Sequence, residues 1–118
     1  MEEDQDAFLG IVTGAGDRAF SAGRDLKEAA ELLQKGQPMR HLYPPPLPIF
    51  GNMELWKPLI AAINGYAVGG GLELALGCDI RIAADHAQLG LMEPKRGLVP
   101  GGGGMLRLPR LMPFGLAM

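Results

Sequence analysis

A single carboxylate set in an apolar segment is the feature that most constrains how this chain can fold. Glu73 lies among leucines and alanines in the stretch GGGLELALGCD, residues 69–79. Carboxylates are rarely buried without a partner. One interpretation places Glu73 on the exposed side of a short helix, but that side would hold Gly77 and Ile80 rather than polar residues. The pattern favours the second interpretation, a functional carboxylate at the first turn of a buried helix.

The three glycines before Glu73 fit this second interpretation. Gly69, Gly70 and Gly71 carry no Cβ, so a ligand can approach their backbone closely. The N-terminus of a helix leaves its first N–H groups without intrahelical acceptors, and these groups favour negative charge. We therefore predict an oxyanion-binding site beside a general base.

A second carboxylate, Glu93, lies in another glycine-rich segment, GLMEPKRGLVPGGGG, residues 90–104. Taken alone, Glu93 is typical of an ordinary loop glutamate. Two carboxylates in different surroundings can, however, hold one water molecule and divide the acid and base roles between them. Glu73 and Glu93 are therefore the candidate catalytic residues.

Apolar runs alternate with glycine and proline breaks, a pattern that predicts one small α/β domain with sites at the carboxyl ends of its strands. The predicted strands are Phe8 to Thr13, PLIAAIN (58–64), DIRIAA (79–84) and AQLG (87–90), and the predicted helices are 24–36, LELALGC (72–78) and a segment that begins near Met105. The predicted loops are FSAG (20–23), GYAVGGG (65–71) and 93–104. Prolines predict an irregular connection over 37–48, and 49–57 is compatible with a short helix.

Charge and composition exclude several classes of protein. The net charge of −2 offers no basic excess for nucleic acid or an anionic membrane surface. With Cys78 as the one cysteine, the chain can form no internal disulfide and carries no metal-ligand cluster. The acidic start MEEDQDAF is not a secretory signal, and polar residues and glycines interrupt the apolar region 59–78. We therefore expect a cytoplasmic protein without a membrane span or a bound metal.

The other candidate motifs carry less information. GAGDRA, residues 14–19, lacks the third glycine of a dinucleotide-binding fingerprint, and GGGG, residues 101–104, lacks the Lys-Ser/Thr of a phosphate-binding loop. We expect His41 and His86 at the surface and Cys78 as an inert core thiol. Trp56 and the methionines are expected to fill the core or an interface.

Three long segments resemble the enoyl-CoA hydratase/isomerase (crotonase) family: FSAGRDLKE, KPLIAAINGYAVGGGLELALGCDIRIA and AQLGLMEPKRGLVPGGGGMLRLPR. The resemblance covers Phe8 to Met118, except the proline-rich segment around 37–53. It implies a crotonase-like (ClpP/crotonase) α/β fold built of repeated ββα-type units. Family members continue on both sides of the matched region, so the resemblance implies that residues 1–118 are a central fragment, a partial domain incomplete at both ends.

The resemblance also implies roles for individual residues. The backbone N–H groups of Arg24 and Gly70 would form an oxyanion hole for the thioester oxygen, and Glu73 and Glu93 would hold the water. The residues expected to border the substrate and its CoA are Ala22, Arg24, Asp25, Leu26, Lys27, Gly69 and Gly70. One departure from the family pattern is that Pro94 follows Glu93, whereas family members usually carry proline before this glutamate.

The implied function is addition of water to a 2,3-trans-enoyl-CoA thioester in fatty-acid or related acyl-CoA metabolism. The alternatives are an enoyl-CoA isomerase, another acyl-CoA-transforming member, or a catalytically inactive assembly fragment. No cofactor is implied, because coenzyme A is part of the substrate. The family also implies a homo-oligomer, either a trimer or a dimer of trimers.

Overall fold

The computed structural model describes residues 4–37 and 56–118. The strands in this part of the chain are β1 (Gly10–Thr13), β2 (Ala19–Ser21), β3 (Leu59–Ile63), β4 (Tyr66–Val68), β5 (Ile80–Ala83) and β6 (Gln88–Gly90). The helices are α1 (Leu26–Gln34), α2 (Gly70–Gly77), a 3-10 helix (Glu93–Arg96), α3 (Gly104–Leu111) and α4 (Phe114–Ala117). The proposed helix over 49–57, the proline-rich connection and His41 lie largely or wholly outside the described residues.

Successive pairs of strands build two parallel sheets. The first sheet has the order β1-β3-β5 and the second has the order β2-β4-β6, so each pair contributes one strand to each sheet. A helix follows the first two pairs directly. This arrangement is the repeated ββα unit that the sequence resemblance implied.

Asn64 joins the turns that connect the two sheets. Its side-chain amide accepts a hydrogen bond from Gly14 N at 3.1 Å and donates to the carbonyl oxygens of Gly14 and Gly16 at 2.9 and 2.6 Å. Gly65 packs directly against the backbone before β2, because a Cβ there would lie 2.3 Å from Arg18 O. One polar side chain thus fixes how two successive repeats stack.

The core lies between the sheets and α2. Alternate residues of β3 point inward, as a strand with one covered face requires. The buried apolar residues are Phe20, Leu59, Ala61, Ile63, Ala67, Leu72, Ala75, Leu76 and Cys78. β3 and α2 contribute three of these residues each, and Cys78 is the C-cap of α2, so the strand and the helix form the centre of the core.

The end of α2 is fastened by two charged side chains of the next segment. The Arg81 guanidinium donates to Ala75 O at 3.3 Å and to Cys78 O at 2.6 Å. Asp79 accepts a hydrogen bond from Leu59 N at 2.8 Å. The arginine donates to carbonyl groups at the C-terminus of α2, and the aspartate ties the residue after this terminus to β3.

Several predictions of local structure were wrong. FSAG and GYAVGGG are not wholly loops, because Ala19–Ser21 and Tyr66–Val68 form strands and α2 already begins at Gly70. The predicted loop 93–104 contains the 3-10 helix. The strands in question have only three residues, and their hydrogen bonds come from strands distant in sequence, so a local pattern cannot show them.

Of the side chains expected in the core or at an interface, several lie outside the core. Trp56 is 83% exposed, and Met92, Met105, Met112 and Met118 are exposed as well. The first strand begins at Gly10 rather than Phe8, and Phe8 is exposed. In the part of the chain described here, these apolar groups have no surface that covers them.

The first sheet leaves one face open. Ile11, Ile60 and Ile80 lie side by side in the register of β1, β3 and β5. Ile11 is 64% exposed and Ile82 is 62% exposed. The face opposite the core is therefore apolar and accessible. In neither described stretch, 4–37 or 56–118, does a helix have the length and apolar character needed to cross a membrane.

Candidate active site

The predicted site residues gather at the carboxyl ends of the second sheet. Arg24 follows β2, Gly69 and Gly70 follow β4, and Glu93 follows β6. Parallel neighbouring strands end at the same edge, so these segments lie together. The hydrogen bond from Gly69 N to Gly90 O, 2.9 Å long, joins the ends of β4 and β6.

Glu73 is buried and its carboxylate is held by two backbone amides. The residue is 4% exposed. Its Oε1 accepts hydrogen bonds from Gly102 N at 2.7 Å and Gly104 N at 2.9 Å. The interpretation that places Glu73 on an exposed helix face is therefore wrong, and the required partner is the glycine-rich segment 101–104.

Glycine is required at two positions around this carboxylate. A Cβ on Gly102 would lie 2.6 Å from Glu73 Oε2. A Cβ on Gly104 would lie 3.1 Å from Glu73 Cγ and 2.9 Å from a methyl group of Leu91. The absence of side chains thus lets the backbone amides approach the carboxylate closely.

Glu93 lies over Gly69, the residue that precedes α2. It is the first residue of the 3-10 helix, and its Oε1 would be 3.3 Å from a Cβ on Gly69. Gly69 has φ of +56°, a conformation that glycine adopts readily. Pro94 occupies the first turn of the 3-10 helix, where its missing N–H costs no hydrogen bond.

The carboxylate of Glu93 differs sharply from that of Glu73 in its hydrogen bonding. Glu93 Oε2 is shielded from solvent and has no hydrogen-bond partner among residues 4–37 and 56–118. An unsatisfied buried polar group is costly, and such a group in a native fold calls for an explanation such as a water or ligand. This oxygen is suited to bind a water molecule or a polar group of a substrate.

The segment after β2 packs directly against the N-terminus of α2. A Cβ on Gly23 would lie 2.8 Å from Gly70 N, and one on Gly71 would lie 1.9 Å from Ser21 O. Gly23 has φ of +77°. Gly70 is the first residue of α2, so its N–H has no intrahelical acceptor. The two predicted oxyanion-hole donors, Arg24 and Gly70, thus lie on backbone segments in close contact.

The residues predicted to border CoA form the rim of this edge. Ala22, Leu26 and Lys27 are exposed. The Asp25 side chain serves as the N-cap of α1, because it accepts hydrogen bonds from Lys27 N at 2.8 Å and Glu28 N at 3.3 Å. Asp25 therefore positions the start of α1 through its side chain.

Sequence reasoning missed the two amides that hold Glu73. Gly102 and Gly104 belong to the GGGG segment, which the sequence pattern does not connect with Glu73. The sequence does contain a signal for them. A buried carboxylate such as Glu73 needs hydrogen-bond donors, and the N–H groups of a second glycine run, 101–104, need acceptors.

Other reactive side chains take no part in this site. Burial raises the pKa of the Cys78 thiol, which donates a hydrogen bond to Leu74 O at 3.5 Å, so Cys78 is the inert thiol expected. His86 is exposed, as predicted. The described part of the chain contains no group of three His, Cys, Asp or Glu residues that could hold a metal ion.

Comparison with known proteins gives a consistent result along the whole chain. A family profile described as Enoyl-CoA hydratase/isomerase matches residues 1–118. The chain is 45% identical over 126 residues to (E)-benzylidenesuccinyl-CoA hydratase of Thauera aromatica, covering 100% of this chain and 45% of that protein. It is 46% identical over 116 residues to carnitinyl-CoA dehydratase of Escherichia coli K12, covering 96% of this chain and 42% of that protein.

Solved structures agree with these relatives. An enoyl-CoA hydratase from Bacillus anthracis superposes with a TM-score of 0.82 at 46% identity, covering 98% of this chain and 45% of that one. A carnitinyl-CoA dehydratase from Mycobacterium avium 104 gives a TM-score of 0.79 at 40% identity, covering 99% of this chain and 45% of that one. The chain thus spans less than half the length of the relatives that it matches.

Proposed function

The chain belongs to the enoyl-CoA hydratase/isomerase family and has its crotonase-like α/β fold, and on that premise we propose that it carries the catalytic residues of a hydratase that adds water to a 2,3-trans-enoyl-CoA thioester. The observation that carries the proposal is the contrast between the two carboxylates at one sheet edge. Two amides hold one oxygen of Glu73, whereas Glu93 Oε2 is buried with no partner among the described residues.

The proposed reaction uses the backbone as well as the carboxylates. The N–H groups of Arg24 and Gly70 donate hydrogen bonds to the thioester oxygen, which draws electron density from the C2–C3 double bond and makes C3 electrophilic. One glutamate accepts a proton from water as its oxygen bonds to C3. The other glutamate delivers a proton to C2, so the product is a 3-hydroxyacyl-CoA and both carboxyl groups exchange protonation states.

The names of the relatives support hydration rather than double-bond migration. A hydratase and a dehydratase, both named for CoA compounds, are similar to this chain over nearly its whole length. Within the proposal, the setting is fatty-acid or related acyl-CoA metabolism in the cytoplasm, and no cofactor is needed beyond the CoA that the substrate carries. We also propose a homo-oligomer, a trimer or a dimer of trimers, which would cover apolar surface such as the open face of the first sheet.

The test is the hydration of crotonyl-CoA by the natural polypeptide that carries these 118 residues. The loss of enoyl absorbance measures the reaction. We expect Glu73→Gln and Glu93→Gln each to lower kcat by about 10²- to 10⁴-fold, with acyl-CoA binding largely retained. The double variant should lose little more than either single one, because the two groups act on the same water.

The matched control is Glu31→Gln, which removes an exposed carboxylate on α1 and should leave kcat unchanged. If Glu93→Gln keeps near wild-type hydration, the two-carboxylate mechanism is wrong. A 3-enoyl-CoA, offered as an alternative substrate, tests the isomerase alternative, which would be favoured if that compound is converted and crotonyl-CoA is not. Inertness of the natural polypeptide towards both compounds would favour an assembly role.

A further inference from the structure

The loop that holds Glu73 is itself held by an arginine. Arg107 lies in the first turn of α3 and is half-buried. Its guanidinium Nη1 donates a hydrogen bond to Gly102 O at 2.9 Å. We propose that Arg107 is a positioning residue for the hydration reaction, which orients the Glu73 carboxylate by fixing the Gly102–Gly104 backbone. This role rests on the proposed function, because orienting Glu73 affects catalysis only if Glu73 is an acid–base group.

The position of the arginine bond within the loop supports this role. The Gly102 carbonyl lies along the chain between the two amides, Gly102 N and Gly104 N, that donate to Glu73 Oε1. A guanidinium that holds this carbonyl fixes the Gly102–Gly103 peptide plane, which lies between the two peptide planes that carry the amides. A hydrogen bond from a charged donor is stronger than one between neutral groups, so a single side chain can fix both donors.

The glycine run explains why such a restraint is needed. Glycine has more backbone freedom than any other residue, and 101–104 are four glycines in succession. Two amides on so flexible a loop would lose entropy on holding a carboxylate in one orientation. Arg107 limits that freedom from outside the carboxylate, and so keeps Glu73 in one geometry before substrate arrives.

Gly103 makes room for the guanidinium. Its φ is +97°, and a Cβ at this position would lie 2.2 Å from Arg107 Nη1. A side chain at 103 would therefore displace the arginine as well as strain the backbone. The absence of side chains therefore matters at three positions. Gly102 and Gly104 let their amides approach Glu73, and Gly103 lets Arg107 approach the loop.

The experiment compares Arg107→Ala with Arg110→Ala in the natural polypeptide. Arg110 lies one turn later on the same helix, is exposed, and donates to Leu106 O within α3. We expect Arg107→Ala to lower kcat for crotonyl-CoA hydration by about 10- to 100-fold with KM nearly unchanged, since small misplacements of catalytic groups have effects of this size. Arg107→Lys, which keeps a charged donor, should recover part of the loss, and Arg110→Ala should retain wild-type kcat.

A double-mutant cycle separates positioning from general stability. In a Glu73→Gln background, Arg107→Ala should cause almost no further loss of kcat, because the group that it orients no longer transfers a proton. If Arg107→Ala loses helical circular dichroism, Arg107→Met, which keeps a long side chain and removes every N–H donor, replaces it in the cycle. Equal losses of kcat in both backgrounds, or an unchanged kcat in Arg107→Ala, would overturn the proposed role of Arg107. The proposed function would still stand if Glu73→Gln lowers kcat severely. Full hydration by Glu73→Gln would overturn both.

Discussion

The two glutamates differ at the level of single atoms. Two backbone amides donate hydrogen bonds to one carboxylate oxygen of Glu73. The buried Oε2 of Glu93 has no hydrogen-bond partner within the described residues. Glutamine at position 73 can still accept both amide hydrogen bonds through its carbonyl oxygen, so Glu73→Gln removes the acid–base group and keeps its shape. The substitution therefore isolates chemistry from packing.

The backbone N–H of Arg24, rather than its guanidinium, is the group that the proposed oxyanion hole requires. Arg24→Ala should therefore retain most of kcat, whereas Arg24→Pro, which deletes the N–H, should lose about 10²- to 10³-fold. The measurement is crotonyl-CoA hydration with both variants, and circular dichroism checks that each is folded. Equal losses in the two variants would assign the function to the side chain instead.

At the scale of elements, long apolar patterns were predictable and short strands were not. The apolar runs around β3 and α2 indicated a buried strand and a buried helix, and both are present. The strands β2 and β4 escaped prediction because each has three residues and depends on hydrogen bonds to distant partners. The resemblance, not the local pattern, indicated that Arg24, Gly70 and Glu93 come together. The sequence does not predict that the amides of Gly102 and Gly104 bind Glu73, because every loop residue except proline carries an N–H group and only the folded structure shows which of them meet an acceptor.

The C-terminus of α2 provides a test of how this element is held. Arg81→Ala removes the guanidinium donors to Ala75 O and Cys78 O, of which Ala75 O keeps a second hydrogen bond from Cys78 N. Unsatisfied buried acceptors cost about 1–3 kcal/mol each, with smaller losses where water can enter. We expect the free energy of unfolding in urea to fall by about 1–3 kcal/mol in Arg81→Ala, by less in Arg81→Lys, and not in Arg110→Ala. An unchanged unfolding midpoint in Arg81→Ala would mean that these bonds add nothing to the stability of α2.

At the scale of the whole molecule, the repeats leave strands available for pairing on both sides. Within the described residues, β1 and β5 are the edge strands of the first sheet, and the sheet face opposite the core exposes Ile11, Ile80 and Ile82. Unpaired edges and exposed apolar faces favour association. The net charge of −2 opposes it only weakly.

The 118-residue polypeptide by itself should therefore be of marginal stability, form oligomers or aggregates, and show little hydration of crotonyl-CoA. Light scattering over a range of concentrations measures its mass. Ile11→Lys combined with Ile82→Lys should lower that mass by placing charge on the open face, whereas Gln88→Lys on the exposed start of β6 should not. A stable monomer with rapid turnover would contradict this prediction.

The stacking of repeats also sets an order in which the site can form. Pairing of β3 with β5 joins residues 60 and 80, whereas pairing of β1 with β3 joins residues 11 and 60. Closing the shorter loop costs less chain entropy, so the later repeats should assemble first. In pulse-labelled hydrogen exchange during refolding of the natural polypeptide, we expect amides of β5 to gain protection before those of β1. The segments that carry Glu73 and Glu93 would then fold before the segment around Gly23 packs against α2. The oxyanion hole would therefore be the last part of the proposed site to form.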